Sequence, residues 1–84
     1  MDNCVMTELF MTEYFRNDVL LKRPYIRLEW CRMAIEQPYR RELQDDGRFR
    51  HWVFIQELDK YLRVVTLEDG ITLHNAFPDR RFKP

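Results

Sequence analysis

Along this chain the spacing of apolar residues changes once, near residue 38, from helical to strand-like. Before that point, "TEYFRNDVLLKRP" sets Phe15, Val19 and Lys22 on one helical stripe, broadened by Tyr14, Leu20 and Leu21. That pattern predicts a helix from about Thr12 to Lys22. Thr12 suits its N-cap, although no Glu or Gln stands three residues later to complete a capping box. A strand across Val19–Leu21 competes with the helix, and Pro24 ends whichever element precedes it. In "YIRLEWCRMAIEQP" the polar Glu29, Arg32 and Glu36 form one narrow stripe. Ile26, Trp30, Cys31, Met33, Ala34 and Ile35 cover most of the remainder. Such a helix is expected to be buried on nearly all sides, between the first helix and a sheet, and to stop at Pro38.

Beyond Pro38, "YRRELQDDGRFRHWVFI" and "YLRVVTLEDGITLHNAF" each carry an Asp-Gly pair between strand-forming runs, with the polar "QELDK" connecting them. Read as two-residue turns, these give two hairpins in tandem. In the second, Asp69-Gly70 pairs Thr66 with Leu73, Val64 with Asn75 and Leu62 with Phe77 on the more apolar face, which should meet the helices. The opposite face carries Arg63, His74 and Tyr61 outward. In the first, Asp46-Gly47 pairs Gln44 with Phe49, Glu42 with His51 and Arg40 with Val53, although neither face is cleanly apolar. The expected architecture is α+β, with two N-terminal helices packed on one face of a four-stranded antiparallel β-meander. Residues 1–84 form a single domain: 12–37 helical, 39–77 sheet, 78–84 a basic tail leaving the sheet after Pro78. Residues 1–11 read as an edge strand or a flexible extension.

Composition supports this reading. Eighty-four residues hold one core, and 45% hydrophobic with 14% aromatic residues suffices to pack it. No run approaches the ~18 apolar residues of a membrane span, so the expectation is a cytoplasmic protein with no membrane contact. Cys4 and Cys31 are separated by 26 residues with no other cysteine, which reads as two reduced thiols, Cys31 in a helix core, rather than a zinc site. The net charge is zero but uneven. Asp2, Glu8, Glu13 and Asp18 against Arg16 make residues 1–21 acidic by three, and the rest is basic by three. Arg outnumbers Lys eleven to three, and its planar fork suits phosphate and stacking on bases.

No phosphate-cradling loop, metal spacing or nucleophile elbow occurs; the chain has only two Gly and no Ser. Neither a metal nor a cofactor is expected. The chemistry left open is metal-independent proton transfer with phosphate stabilisation. RNA brings its own 2′-hydroxyl nucleophile, so a base, an acid and cations on an open sheet suffice for its cleavage. His51, His74, Glu42 and Tyr61 are the catalytic candidates, and Arg50, Arg63, Arg80, Arg81 and Lys83 the RNA- and phosphate-binding ones. A Glu42–His51 cross-strand pair would raise the imidazole pKa, or would simply stabilise the surface.

The order of two helices and an antiparallel meander resembles the RelE/ParE-like toxins and the related small domains of bacterial toxin–antitoxin loci. The more specific likeness is "RPYIRLEWCRMAIEQP", Arg23 to Pro38: an Arg, a turn residue, a hydrophobe, then an apolar-periodic helix closing on Pro. A basic hairpin and a strand like "YLRVVTL" follow, and the resemblance covers roughly residues 12–77. It implies cleavage of messenger RNA, often at the ribosome, with a cognate antitoxin as partner. Those domains commonly carry a His at the start of the first helix, where this chain has "MTEYFR" with Tyr14 nearest that place, and the ending from His74 to Arg81 departs from a bare final strand. Zero net charge also argues against a ribosome-directed toxin. The expected function is therefore a small RelE-like domain, either an endoribonuclease toxin or a degenerate relative. The alternatives are a non-catalytic module that binds a protein and a basic regulator that binds nucleic acid.

Overall fold

In the computed structural model, which describes residues 9–84, Thr12 caps the first helical segment, α1, residues 13–22. Its Oγ1 accepts the Phe15 N–H at 3.1 Å, the side-chain cap expected from the sequence. The middle of α1, Phe15–Val19, is π-helical and its end, Leu20–Lys22, is α-helical; no strand forms across 19–21. Phe15 and Val19 share the buried stripe and are fully covered. After a turn at Pro24, closed by the Ile26 N–H on the Arg23 carbonyl at 3.0 Å, α2 runs Leu28–Glu36. Four strands follow: β1 Arg40–Leu43, β2 Phe49–Ile55, β3 Lys60–Thr66 and β4 Leu73–Pro78. They form one antiparallel sheet in the order β1-β2-β3-β4, the expected meander with the helices N-terminal to it.

The core lies between the helices and one face of the sheet. Phe15, Val19, Trp30, Cys31 and Ala34 meet Val53, Ile55, Leu62, Val64, Leu73 and Ala76. Burying these side chains contributes ~25 cal/mol for each Å² of apolar surface, the main force holding the layers together. Because α2 lies over β2 and β3 while α1 lies over β4, the helices sit side by side and neither covers the other. The expectation that α2 is buried on nearly all sides is therefore corrected: Leu28 and Met33 face solvent. Among the described residues no helix is long and apolar enough to cross a membrane. Residues 10–12 do lie along a sheet edge. Leu73 donates to the Phe10 carbonyl at 2.8 Å, and Thr12 donates to the Leu73 carbonyl at 2.9 Å, around a parallel bridge from Met11 to Leu73. The readings of Cys4 and of the acidic Asp2 and Glu8 fall outside the described residues.

Both hairpins depart by one residue from the expected register, for different reasons. Between β1 and β2 the loop has three residues, Asp45–Gly47, bounded by the Gln44 N–H on the Arg48 carbonyl at 2.7 Å. The Gly47 N–H also returns to the Gln44 carbonyl at 3.1 Å, and Gly47 sits at φ +89°. This is a turn followed by a left-handed residue, the usual three-residue hairpin. A two-residue turn of the mirror type needs φ > 0 at both of its central residues, and Asp46 does not adopt it. Hence Glu42 stands opposite Arg50 and Arg41 opposite His51. The expected pairs of Glu42 with His51, Gln44 with Phe49 and Arg40 with Val53 do not form.

Between β3 and β4 the expected register holds at the turn, where the Leu67 N–H meets the Thr72 carbonyl at 3.0 Å and Thr66 faces Leu73. Then it slips. Val65 faces Asn75, Val64 faces Ala76 and Arg63 faces Phe77, which leaves His74 as the extra residue of a β-bulge. Because side chains alternate faces, one inserted residue moves everything beyond it to the other side. Ala76 takes the core position opposite Val64, whereas Asn75 and Phe77, expected in the core, lie on the outer face with Arg63.

Candidate nucleic-acid interface

The outer face of the sheet is where the polar candidates gather. Alternation along β1 and β2 puts Arg40 and Glu42 opposite Trp52 and Arg50, and β3 adds Arg63 opposite Trp52. The chain after β4 does not leave as a basic tail, and that expectation is corrected. It folds back across this face through Asp79, whose N–H donates to the Tyr61 carbonyl at 2.8 Å. Asp79 Oδ2 accepts the Trp52 indole N–H at 2.9 Å and the Arg63 Nε and Nη2 at 3.1 and 2.9 Å, while Oδ1 accepts the Arg81 N–H at 3.1 Å. Burial pushes this carboxyl up, but the bonds from Trp52, Arg63 and Arg81 outweigh burial and hold its pKa below 3.8. Phe82 then stacks on Trp52, with ring centroids 4.8 Å apart and planes 20° apart, so an indole in the middle of the outer face is only 3% exposed. The driving force is the covering of that ring; a run of cations alone would have stayed in water.

The result is a shallow groove of about 320 Å³ lined by five cations, Arg40, Arg50, Arg63, Arg81 and Lys83, with two carboxylates, Glu42 and Asp79, and the rings of Trp52 and Phe82. Asp79 is engaged by Arg63, so the balance of the groove is strongly positive. Among the described residues, Arg40, Arg50, Arg81 and Lys83 make no ion pair. The guanidinium of Arg40 lies 4.9 Å from the Phe82 centroid, and the buried Nε of Arg50 has no hydrogen-bond partner. Beside the groove stands a cluster of rings. Tyr61 lies 4.8 Å from Phe82 and 5.3 Å from both Tyr39 and Phe54, and the latter two are exposed. Guanidinium groups that lack carboxylates beside accessible rings are suited to bind phosphates and to stack bases.

The candidates named from sequence divide accordingly. Arg50, Arg63, Arg81, Lys83 and Glu42 all line the groove, and Tyr61 borders it through Phe82. Arg80 points elsewhere, into a second hollow. Neither histidine reaches the groove. His51 is on the helix-facing side of β2, 1% exposed, its Nε2 bonded to Thr66 Oγ1 at 2.9 Å and its Nδ1 buried without a partner. Burial, and then the charge of Arg41, push its pKa down to about 4, the opposite of the rise expected from a pairing with Glu42. His74 had been expected to face outward beside Arg63. The bulge turns it toward α1, with Nδ1 3.2 Å from Thr12 Oγ1 and its ring 5.2 Å from that of Tyr14. Burial and then the charge of Arg48 lower its pKa, with Asp46 opposing. Cys31 is buried as expected, and burial pushes its thiol up to about 12, an unreactive value.

Sequence reasoning missed Arg40, Trp52, Asp79 and Phe82. One signal was present for the last two: a Phe inside "PDRRFKP" has no reason to stay in solvent, and an acid just before it can anchor the fold-back. No family model matches the chain, and neither the curated proteins nor the solved structures yield a match.

Proposed function

We propose that this protein binds single-stranded RNA on the outer face of its sheet, as a degenerate relative of the RelE-like domains in which binding persists without histidine-based cleavage. The observation that carries the reading is the groove itself: four cations that form no ion pair among the described residues, beside rings that are open to solvent. A protein partner would be served as well by paired charges, whereas unpaired guanidiniums gain most from a polyanion, whose counterions they release. Ring stacking adds ~1–3 kcal/mol per base and is tolerant of sequence.

The two groups best suited to shuttle a proton near neutral pH, His51 and His74, face away from the groove, and burial lowers the pKa of each. The reading therefore predicts retention of RNA without its cleavage. Incubating the protein with a labelled oligouridylate and resolving the mixture on native and denaturing gels tests both halves. A retarded band on the native gel and intact strands on the denaturing gel are expected. Strand scission abolished by His51→Gln or His74→Gln would instead restore the endoribonuclease reading, and the absence of any retarded band would remove RNA as the ligand.

A further inference from the structure

A second hollow, of about 390 Å³, opens where the turn after α1, the start of β3 and the segment after β4 converge. Each element delivers one cation to it: Arg23, Lys60 and Arg80. Among the described residues no carboxylate lines it, and none of the three cations forms an ion pair. Tyr25 and Phe77 supply aromatic walls. The volume lies within the ~300–1,000 Å³ usual for small-ligand sites. The cations are also not loose arms alone. The Ile26 N–H on the Arg23 carbonyl closes the turn that carries Arg23, and Lys60 sits in the ladder opposite Ile55.

From this arrangement we infer that the hollow binds a phosphomonoester, the terminal phosphate of a nucleic-acid strand. A monoester carries ~−1.5 to −2 charge at neutral pH, against about −1 for each internal diester, so three cations lining one hollow favour an end over a mid-strand phosphate. The neighbouring rings suit a nucleobase attached to that phosphate. Phe77 also links this hollow to the groove. Its ring has the Arg63 guanidinium at 5.0 Å and that of Arg23 at 5.9 Å, and Arg63 lines the groove while Arg23 lines the hollow. In this inference a strand lying along the groove places its end in the hollow, beside Arg23, Lys60 and Arg80. As a strand-end site the hollow rests on the RNA-binding reading; as a phosphomonoester site it does not.

The test uses the full chain and one hexauridylate made with a 5′-phosphate, with a 3′-phosphate, or with hydroxyls at both ends, followed by fluorescence anisotropy, with uridine 5′- and 3′-monophosphate followed by NMR. One phosphorylated end is expected to bind on the order of tenfold tighter than the hydroxyl-ended strand, a difference of about one charge-assisted contact. Arg80→Gln, at an exposed position, and Lys60→Gln, at a half-buried one, are expected to erase that ratio, and unchanged thermal unfolding of Arg80→Gln separates lost binding from lost stability. If no strand binds but a monophosphate shifts the resonances of Lys60 and Tyr25, and Lys60→Gln weakens it, the hollow stands and the groove reading falls. If end phosphorylation changes nothing and the monophosphates perturb wild type and variants alike, the inference is overturned.

Discussion

His51 is one of the two candidate catalytic imidazoles, and the structure makes it a neutral core residue bonded to Thr66. Its folded pKa near 4 lies below the ordinary 6.5, so between these values the unfolded chain binds more protons than the folded one. Stability is then fully present above pH 6.5 and falls as the pH drops toward 4, by up to about 3 kcal/mol. Urea unfolding at pH 7, 5.5 and 4.5 should show that decline, and His51→Gln should flatten it. A decline of equal steepness in the variant would assign it to other groups. Asp79 acts in a separate window: its pKa is depressed, so its contribution is present above 3.8 and is lost only as the pH falls below that value. Asp79→Ala leaves the Trp52 indole and Arg63 without their acceptor and should cost about 2 kcal/mol at pH 7. The expected signature is a red-shifted tryptophan emission as Phe82 lifts from Trp52.

At the scale of elements, what could be read in advance followed from strong local chemistry. Thr12 capped its helix, Phe15 and Val19 lined the buried stripe, and β2 and β3 formed where β-formers were dense. What escaped was register. An Asp-Gly pair is compatible with loops of two, three or four residues, and "YRREL" has no alternation to choose among them, because β1 is exposed along its whole length. The bulge at His74 left no mark in the sequence, since Leu73 and Phe77 suggest an unbroken strand and only the packing of Ala76 against Val64 requires the slip. Both errors bore directly on the site: one invented the Glu42–His51 pair, and the other sent His74 to the wrong face. The three-residue loop makes its own prediction. Gly47 at φ +89° places any side chain in strained backbone, and a Cβ there meets the Glu68 carboxylate at 2.6 Å. Gly47→Ala should therefore lower stability by about 1–2 kcal/mol in urea denaturation, and Gly47→Asn by less, since Asn tolerates this conformation better.

For the molecule as a whole, the helices and sheet supply a core on one side, while the fold-back of residues 79–82 builds a charged, ring-bordered surface on the other. Of the nine candidate residues named from sequence, those that the groove brings together are the phosphate binders Arg50, Arg63, Arg81 and Lys83, with Glu42 among them. That split is the physical ground for proposing binding without histidine-dependent cleavage. The most direct test is the salt dependence of oligouridylate binding, measured by anisotropy from 50 to 300 mM salt. With the four unpaired groove cations each meeting one phosphate, log K should fall against log salt with a slope of about −3. Arg40→Gln, and likewise Arg50→Gln, should weaken binding and bring the slope nearer zero by about 0.7. A slope near zero, or one that these substitutions leave unchanged, would contradict the account.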